Sequence, residues 1–141
     1  MAKIFWDTNL FIYLFEDQGE LGERVVALRE KSIARRDQIL TSALTVGEVL
    51  VRPAAMKAAA VERRYLEFFC HPILAVLPFD LSAAEWYARI RQDRAIRPPD
   101  AIQLACAAAG GVDLFITNDN RLSKRIVPGI SFITSLKEAP L

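Results

Sequence analysis

Short apolar runs of the kind that form buried strands alternate in this chain with longer segments of helical spacing. The predicted strands are Lys3–Trp6 (KIFW), Ile39–Ser42, Ile73–Leu77, Leu114–Thr117 (LFIT) and a weaker Ser131–Thr134. Strands that alternate with helices pair in parallel and need a helical layer on each face of their sheet. The pattern therefore predicts an α/β fold, with a central, mainly parallel sheet between two layers of helices.

Helices are predicted between these strands from apolar spacing, prolines and capping residues. Pro53 and the Pro98-Pro99 pair suit first helical turns, and the Gly110-Gly111 pair suits a helix end. The predicted helices are Thr8–Asp17, Gly19–Arg36, Leu44–Arg52, Pro53 to about Cys70, a helix capped by Asp80 or Ser82 that runs through Arg94, and Pro98 to the glycine pair.

The composition favours one globular domain over residues 1–141, with 52% hydrophobic and 25% charged residues. No apolar run approaches the ~20 residues of a membrane span, and no signal-peptide pattern is present. Cys70 and Cys106 have apolar neighbours and no CxxC spacing, so we expect buried, reduced thiols and a soluble, cytoplasmic protein without a membrane partner. The net charge of only +1 means that any nucleic-acid binding requires a local basic patch.

Acidic residues follow two of the predicted strands. Asp7 comes directly after KIFW, and Asp119 follows LFIT with only Asn118 between them. In parallel α/β sheets ligands bind outside the carboxyl ends of the strands, so both carboxylates are predicted at the ligand-binding edge. Asp113 precedes its strand and is predicted at the opposite edge. Asp7 and Asp119, each taken alone, can also be explained as helix N-caps.

Two further acids lie on predicted helices. The neighbours of Glu48 at i−4 and i+3 are Leu44 and Val51, so its carboxylate is predicted to project from an apolar stripe, where an unpaired charge is costly. A salt bridge to Arg52 at i+4 is the structural alternative. Asp100 follows the Pro98-Pro99 pair, where a first-turn acid also favours the helix dipole.

The four acids form a coherent set if they converge on one place. Their mutual repulsion would then raise their pKa values unless positive charge lay among them, and Mg²⁺ or Mn²⁺ prefers such oxygen ligands. Hydroxyl and amide side chains beside the acids would form the outer hydrogen-bonding layer of the site: Thr8, Asn9, Thr45, Thr117 and Asn118.

The segments DTNLFIY, TSALTVGEVL, PPDAIQLACAA and LFITND together resemble a PIN domain, and most closely the VapC-like toxin ribonucleases of toxin–antitoxin pairs. The resemblance implies a PIN-like three-layer α/β/α sandwich with Asp7, Glu48, Asp100 and Asp119 as the catalytic, metal-binding quartet. It also implies Mg²⁺- or Mn²⁺-dependent cleavage of single-stranded RNA regions, a homodimer, and inhibition by a cognate antitoxin. Leu122 stands where family members often carry an aromatic residue, and the last acid is the least constant in the family.

RNA would need cations around this acidic centre. The candidates, which alternatively form an ordinary solvated helix face, precede Asp100 or follow Asp119: Arg89, Arg91, Arg94, Arg97, Arg121, Lys124 and Arg125. The apolar stretch Leu10–Phe15 is expected in the core, with a dimer or antitoxin groove as the alternative.

Other functions fit the sequence less well. A phosphatase with an Asp nucleophile would require a second acid at the position of Asn9. A receiver-type module would require an early pair of acids, which this chain lacks. Because His71 is the only histidine, ribonuclease schemes that need two histidines are excluded. A PIN nuclease that processes RNA without an antitoxin, and a non-catalytic RNA- or protein-binding module, stay as alternatives.

Overall fold

The computed structural model describes residues 1–17 and 19–140, which form five strands and seven helices. The strands are β1 (Lys3–Trp6), β2 (Gln38–Ser42), β3 (Leu74–Leu77), β4 (Leu114–Thr117) and β5 (Ile133–Ser135). The helices are α1 (Thr8–Glu16), α2 (Glu20–Ala34), α3 (Ala43–Ala55), α4 (Ala59–Phe69), α5 (Leu81–Ile90), α6 (Pro98–Ala109) and α7 (Asn120–Ser123).

All five strands are parallel and follow the spatial order β3-β2-β1-β4-β5. Strand β1 is central, and its Phe5 is in register with Leu40 of β2 and Phe115 of β4. The chain builds outward from β1 through β2 to β3 and then returns to place β4 on the other side of β1. The strand order therefore reverses between β1 and β4, which is where open α/β sheets leave a crevice for ligands.

Alternating side chains of β1 divide the core into two halves. Ile4 and Trp6 face one way and pack with residues of α1, α2, α3 and α4. Phe5 faces the other way, stacks on Phe115 with ring centroids 4.9 Å apart, and packs with residues of α5 and α6. Helices thus cover both faces of the sheet, and the predicted three-layer α/β/α sandwich is confirmed.

Two predicted helix boundaries are wrong. Pro53 does not start a helix but lies buried inside α3, which continues to Ala55. An interior proline usually kinks or breaks a helix, but α3 continues through Pro53, and the break comes at Lys57, whose φ of 53° is in the left-handed region. Helix α5 ends at Ile90 rather than Arg94, and in the loop that follows, Arg91 Nη1 donates to the carbonyl oxygen of Ile96 at 2.6 Å.

The predicted environment of one cysteine is also wrong. Cys106 is buried on α6, and burial raises the pKa of its thiol to about 11, so it is unreactive at neutral pH. Cys70 is exposed, because α4 ends at Phe69 and the chain turns away from the core there. Over residues 1–17 and 19–140, no helix is both long and apolar enough to cross a membrane.

Most of the apolar stretch Leu10–Phe15 packs inside the molecule, as expected. Leu10 and Phe11 are fully buried, and Phe15 stacks on Tyr65 of α4 with ring centroids 4.4 Å apart. Ile12 is the exposed large apolar side chain of the stretch, at 36%. These aromatic contacts fix α1 against α4, and α1 begins at the residue that follows Asp7.

Candidate metal centre

The carboxyl ends of β1 and β4 bring two of the predicted acids to the same edge of the sheet. Asp7 follows β1, and Asp119 follows β4 after Asn118. The backbone amide of Asp7 donates to the carbonyl oxygen of Ile116 at 3.0 Å, so the two strand ends are joined at the point where the strand order reverses. Asp113 lies at the opposite edge, as predicted, and accepts a hydrogen bond from the backbone amide of Lys3 at 2.8 Å.

Asp7 is the buried acid of the site, with 7% of its surface exposed. Its Oδ1 accepts from the backbone amide of Thr8 at 2.8 Å, as an N-cap of α1, and its Oδ2 accepts from Thr117 Oγ1 at 2.7 Å. Burial raises the pKa of Asp7 from 3.8 to about 6, against the lowering effect of these hydrogen bonds, and the nearby charges of Asp100 and Glu48 raise it further. The Asp7 side chain therefore caps α1 and also belongs to the acidic set.

Asp100 lies in the first turn of α6 and is partly buried. Burial is the largest cause of its raised pKa, followed by the charge of Asp119, while Arg97 acts in the opposite direction and Glu48 adds to the rise. The charge of Glu48 raises the pKa of both Asp7 and Asp100. The four acids, from two strand ends and two helices, thus share one electrostatic environment.

Glu48 is exposed, so its predicted place on a buried apolar stripe is wrong. The face of α3 that enters the core carries Thr45, Val49 and Pro53, whereas Val51 is 66% exposed. Glu48 Oε1 accepts from Thr8 Oγ1 at 2.7 Å. The alternative salt bridge to Arg52 is absent from the described residues, where Arg52 pairs with Glu16 of α1 at 3.7 Å.

Asp119 differs from the other three acids because it is paired with a cation. It N-caps α7, and Arg121 binds it through two hydrogen bonds, from Nε to Oδ1 at 3.2 Å and from Nη2 to Oδ2 at 2.9 Å. The backbone amide of Asp119 donates to Thr117 Oγ1 at 3.0 Å. Thr117 therefore links the loop that carries Asp119 to the carboxylate of Asp7.

The predicted amide side chains, Asn9 and Asn118, join the start of α1 to the residues that follow β4. Asn9 Oδ1 accepts from the backbone amide of Asn118 at 3.3 Å, and Asn118 Nδ2 donates to the hydroxyl of Tyr13 at 3.0 Å. These bonds hold the start of α1 against the end of β4. Tyr13 did not emerge from the sequence, because it lies within an apolar stretch.

A buried glutamine at the site was also missed. Gln103 is 2% exposed and contacts Ser42, Thr8, Thr45 and Glu48 through its carboxamide. One signal was available in the sequence, because Gln103 lies three residues after Asp100 and hence on the same face of a helix.

The residues present fit a hard divalent cation. Within residues 1–17 and 19–140, Asp7, Glu48 and Asp100 form no ion pair. Burial is the main cause of the raised pKa values of Asp7 and Asp100, and the charges of neighbouring acids add to both. No three His, Cys, Asp or Glu side chains of the described chain converge closely enough to enclose an ion as they stand. Mg²⁺ needs no such enclosure, because it keeps several waters and takes one or two carboxylates directly.

Comparison with known proteins identifies the family. A family model described as the PIN domain matches residues 4–126, which include all four acids. The chain belongs to the PIN domain family. No curated protein sequence matches it.

Solved structures share this PIN fold over nearly the whole chain. A chain of VapBC2 from Rickettsia felis, bound to a DNA fragment from its promoter, has a TM-score of 0.75 at 16% identity and covers 94% of this chain and 98% of that one. DNA-bound VapBC from Salmonella typhimurium has a TM-score of 0.69 at 23% identity, with coverage of 96% and 99%. A toxin–antitoxin complex from Klebsiella pneumoniae has a TM-score of 0.65 at 25% identity, with coverage of 90% and 94%. These neighbours confirm the PIN fold over at least 90% of the chain.

The candidate RNA-binding arginines before Asp100 have different surroundings in this PIN domain. Arg89 is exposed, with its guanidinium 5.1 Å from the ring centre of Trp86, and Arg94 is exposed. Arg97 is exposed directly before α6 and lowers the pKa of Asp100, which places its charge near the acids. Arg91 supports the turn after α5 through its bond to the backbone, so a structural role is established for that side chain.

The candidates that follow Asp119 line a groove of about 480 Å³ on the PIN domain surface. Arg121 lies between this groove and Asp119, Lys124 is exposed, and Arg125 Nη1 pairs with Asp93 at 2.9 Å. Asp93 also lines the groove, so Lys124 is the lining cation that forms no ion pair among the described residues.

Proposed function

We propose that this PIN domain is a divalent-metal-dependent endoribonuclease and acts as the toxin of a toxin–antitoxin pair. The observation that supports it most strongly is electrostatic. Asp7, Glu48 and Asp100 share one edge of the sheet, repel each other, and among the described residues lack the cation that Asp119 has in Arg121. A divalent cation would supply the missing positive charge.

The chain's own side chains have distinct roles in this proposal. Asp7, Glu48 and Asp100 would hold the ion directly or through its waters, and Asp119 would support them from the loop after β4. Bound there, Mg²⁺ or Mn²⁺ supplies charge neutralisation at the scissile phosphate and lowers the pKa of water for in-line attack. Thr117 orients Asp7, and Thr8 orients Glu48, through hydroxyl groups that donate to the carboxylates at 2.7 Å. No histidine base is required.

The substrate proposal rests on the cations around this centre. Arg94, Arg97 and Lys124 are exposed, and the groove that follows Asp119 adds Arg121. Phosphates bound there would place an RNA strand beside the acids. A single-stranded region fits best, because an extended backbone can reach carboxylates recessed at the edge of a sheet.

The toxin proposal rests on the structural neighbours, which are VapBC toxin–antitoxin complexes. A small antitoxin protein would inhibit the nuclease by covering the acidic centre, and a homodimer is proposed on the same family likeness. Growth arrest on expression, relieved by a small protein encoded beside this chain, would separate a toxin from a nuclease of RNA processing.

The decisive experiment measures cleavage of a single-stranded RNA with Mn²⁺ or Mg²⁺ by wild type, by Asp7→Asn and after EDTA treatment. Asp113→Asn is the matched control, since it makes the same chemical change at the opposite edge of the sheet. We expect cleavage by wild type and Asp113→Asn only. Equal cleavage in all arms would overturn the mechanism, and RNA binding without cleavage by wild type would favour the non-catalytic module.

A further inference from the structure

The carboxamide of Gln103 is the centre of a hydrogen-bond network that joins three helices and the end of β2. Gln103 lies on α6, and its network partners are Ser42 at the end of β2, Thr45 and Glu48 on α3, and Thr8 on α1. Gln103, Ser42 and Thr45 are buried, while Glu48 is exposed at the outer end of the network. The network therefore leads from the core to one acid of the proposed metal centre.

The direction of the hydrogen bonds follows from counting donors. Ser42 Oγ donates to Gln103 Oε1, which can only accept, so Gln103 Nε2 faces the two threonines and donates to Thr45 Oγ1 at 2.8 Å and to Thr8 Oγ1 at 2.9 Å. These two bonds use both of its hydrogens, and its contact with Glu48 Oε1 is longer, at 3.5 Å.

The two threonine hydroxyls then have one hydrogen each to donate. Thr8 Oγ1 donates to Glu48 Oε1 at 2.7 Å. The 3.1 Å contact between the two hydroxyls therefore runs from Thr45 to Thr8, because the hydrogen of Thr8 is already engaged. Each step from Ser42 outward donates toward Glu48, so the series of bonds ends on a carboxylate oxygen.

We propose that Gln103 is a positioning residue, which acts through Thr8 and Thr45 to hold the exposed Glu48 carboxylate toward the proposed metal centre. An exposed glutamate on a helix is otherwise free to rotate about three side-chain bonds. A buried carboxamide with fixed partners has one orientation. It fixes the hydroxyl groups of Thr8 and Thr45, and Thr8 in turn holds the Glu48 carboxylate in place. The role in metal binding rests on the proposed function, whereas the orientation of Glu48 does not.

The first test examines Glu48 in the metal-free protein by ¹³C NMR of its side-chain carboxyl at fixed pH. Gln103→Leu removes the carboxamide with little change in size, and Gln103→Glu keeps an acceptor for Ser42 but removes the donor that faces the threonines. Gln38→Leu is the matched control, since Gln38 is exposed at the start of β2. We expect a shifted Glu48 carboxyl signal and a more mobile side chain in both Gln103 variants and not in the control.

The second test measures Mn²⁺ binding by titration calorimetry, together with the Mn²⁺ concentration for half-maximal RNA cleavage. Loss of such an outer partner costs roughly 10- to 100-fold in metal affinity, and we expect that loss in the Gln103 variants, with the maximal rate largely recovered at saturating Mn²⁺. Thr8→Ser keeps the hydroxyl and should retain the affinity, whereas Thr8→Val should lose it. Gln103→Glu decides the outcome if Gln103→Leu does not fold, and the Thr8 pair tests the hydroxyl through which Gln103 is proposed to act.

Folded Gln103 variants with a wild-type Glu48 signal and wild-type Mn²⁺ affinity would overturn the positioning role. Wild-type protein that neither binds Mn²⁺ nor cleaves RNA would instead overturn the proposed function. In that case the Glu48 carboxyl signal still decides whether Gln103 orients Glu48.

Discussion

Arg121 binds Asp119 through two hydrogen bonds, with Nη2 and Oδ2 2.9 Å apart, at the edge of the sheet where the other three acids are unpaired within the described residues. The guanidinium of Arg121 thus neutralises Asp119, the last of the four site acids along the chain. A divalent cation and Arg121 would compete for the same carboxylate. Release of Arg121 would add a cation to the groove beside Lys124, where RNA phosphates are proposed to bind.

Arg121→Gln is expected to strengthen Mn²⁺ binding by a few-fold and to weaken RNA binding. The gain is small because an ion pair with one partner 59% exposed is worth less than about 1 kcal/mol. Titration calorimetry with Mn²⁺ and fluorescence anisotropy with RNA measure the two effects. Arg125→Gln is the control, since Arg125 pairs with Asp93, and an unchanged Mn²⁺ affinity in Arg121→Gln would show that the pair does not compete with the ion.

The sequence predicted the strands of the site better than its helices. KIFW is apolar after Lys3, LFIT is apolar before Thr117, and polar residues follow both runs directly, so β1 and β4 have the predicted bounds. The start predicted at Pro53 was wrong because prolines usually interrupt helices, whereas the buried face of α3, with Thr45, Val49 and Pro53, retains the helix through this position. The four-residue α7 is too short to show a periodic pattern, and the sequence indicated it only through Asp119 as a possible N-cap.

Asp7 and Asp119 were correctly placed at one edge of the sheet because a position directly after a strand is a local property of the sequence. The predicted surroundings of Glu48 were wrong. The prediction relied on its apolar neighbours Leu44 and Val51, but which face of α3 is buried depends on where α6 and α1 pack. Gln103 was missed for a related reason. Its partners come from three other elements and lie up to 95 residues away, and no pattern within α6 encodes them.

Metal-free protein is expected to lose stability as the pH rises from about 4 to above 6. The pKa of Asp7 is about 6 in the folded protein and 3.8 as the reference value, so the folded state holds the proton more tightly. This stabilising contribution is complete below pH 3.8 and is lost as the pH passes through 6, with an upper limit of roughly 3 kcal/mol. Urea unfolding with EDTA at several pH values measures it.

Asp7→Asn should remove that pH dependence and raise the stability of the metal-free protein at pH 7, by up to roughly 3 kcal/mol. The asparagine oxygen can still accept from the backbone amide of Thr8. Asp113→Asn controls for the loss of one negative charge elsewhere. A destabilised Asp7→Asn at pH 7 would mean that the hydrogen bond from Thr117 outweighs the cost of burying the charge.

Mn²⁺ should raise the melting temperature of the wild type at pH 7. A ligand at about 100 times its dissociation constant adds about 2.7 kcal/mol, which for a domain of this size corresponds to roughly 5 to 10 °C. The effect should be smaller at pH 5, because the raised pKa of Asp7 means that a proton must leave before the ion binds. Differential scanning calorimetry with and without EDTA measures both, and an equal shift in Asp7→Asn would place the ion elsewhere.

Phe15→Ala tests whether the apolar stretch of α1 serves the core. The partly buried Phe15 ring stacks on Tyr65 at 4.4 Å and meets Phe68 edge-on at 5.0 Å, so truncation should lower the free energy of unfolding by roughly 1.5 to 3 kcal/mol. Ile12→Ala is the matched control, because Ile12 is 36% exposed on the same helix and should cost much less. Chemical denaturation gives both values. Similar small losses in the two variants, with weakened binding of an antitoxin in Phe15→Ala, would favour a partner groove over core packing.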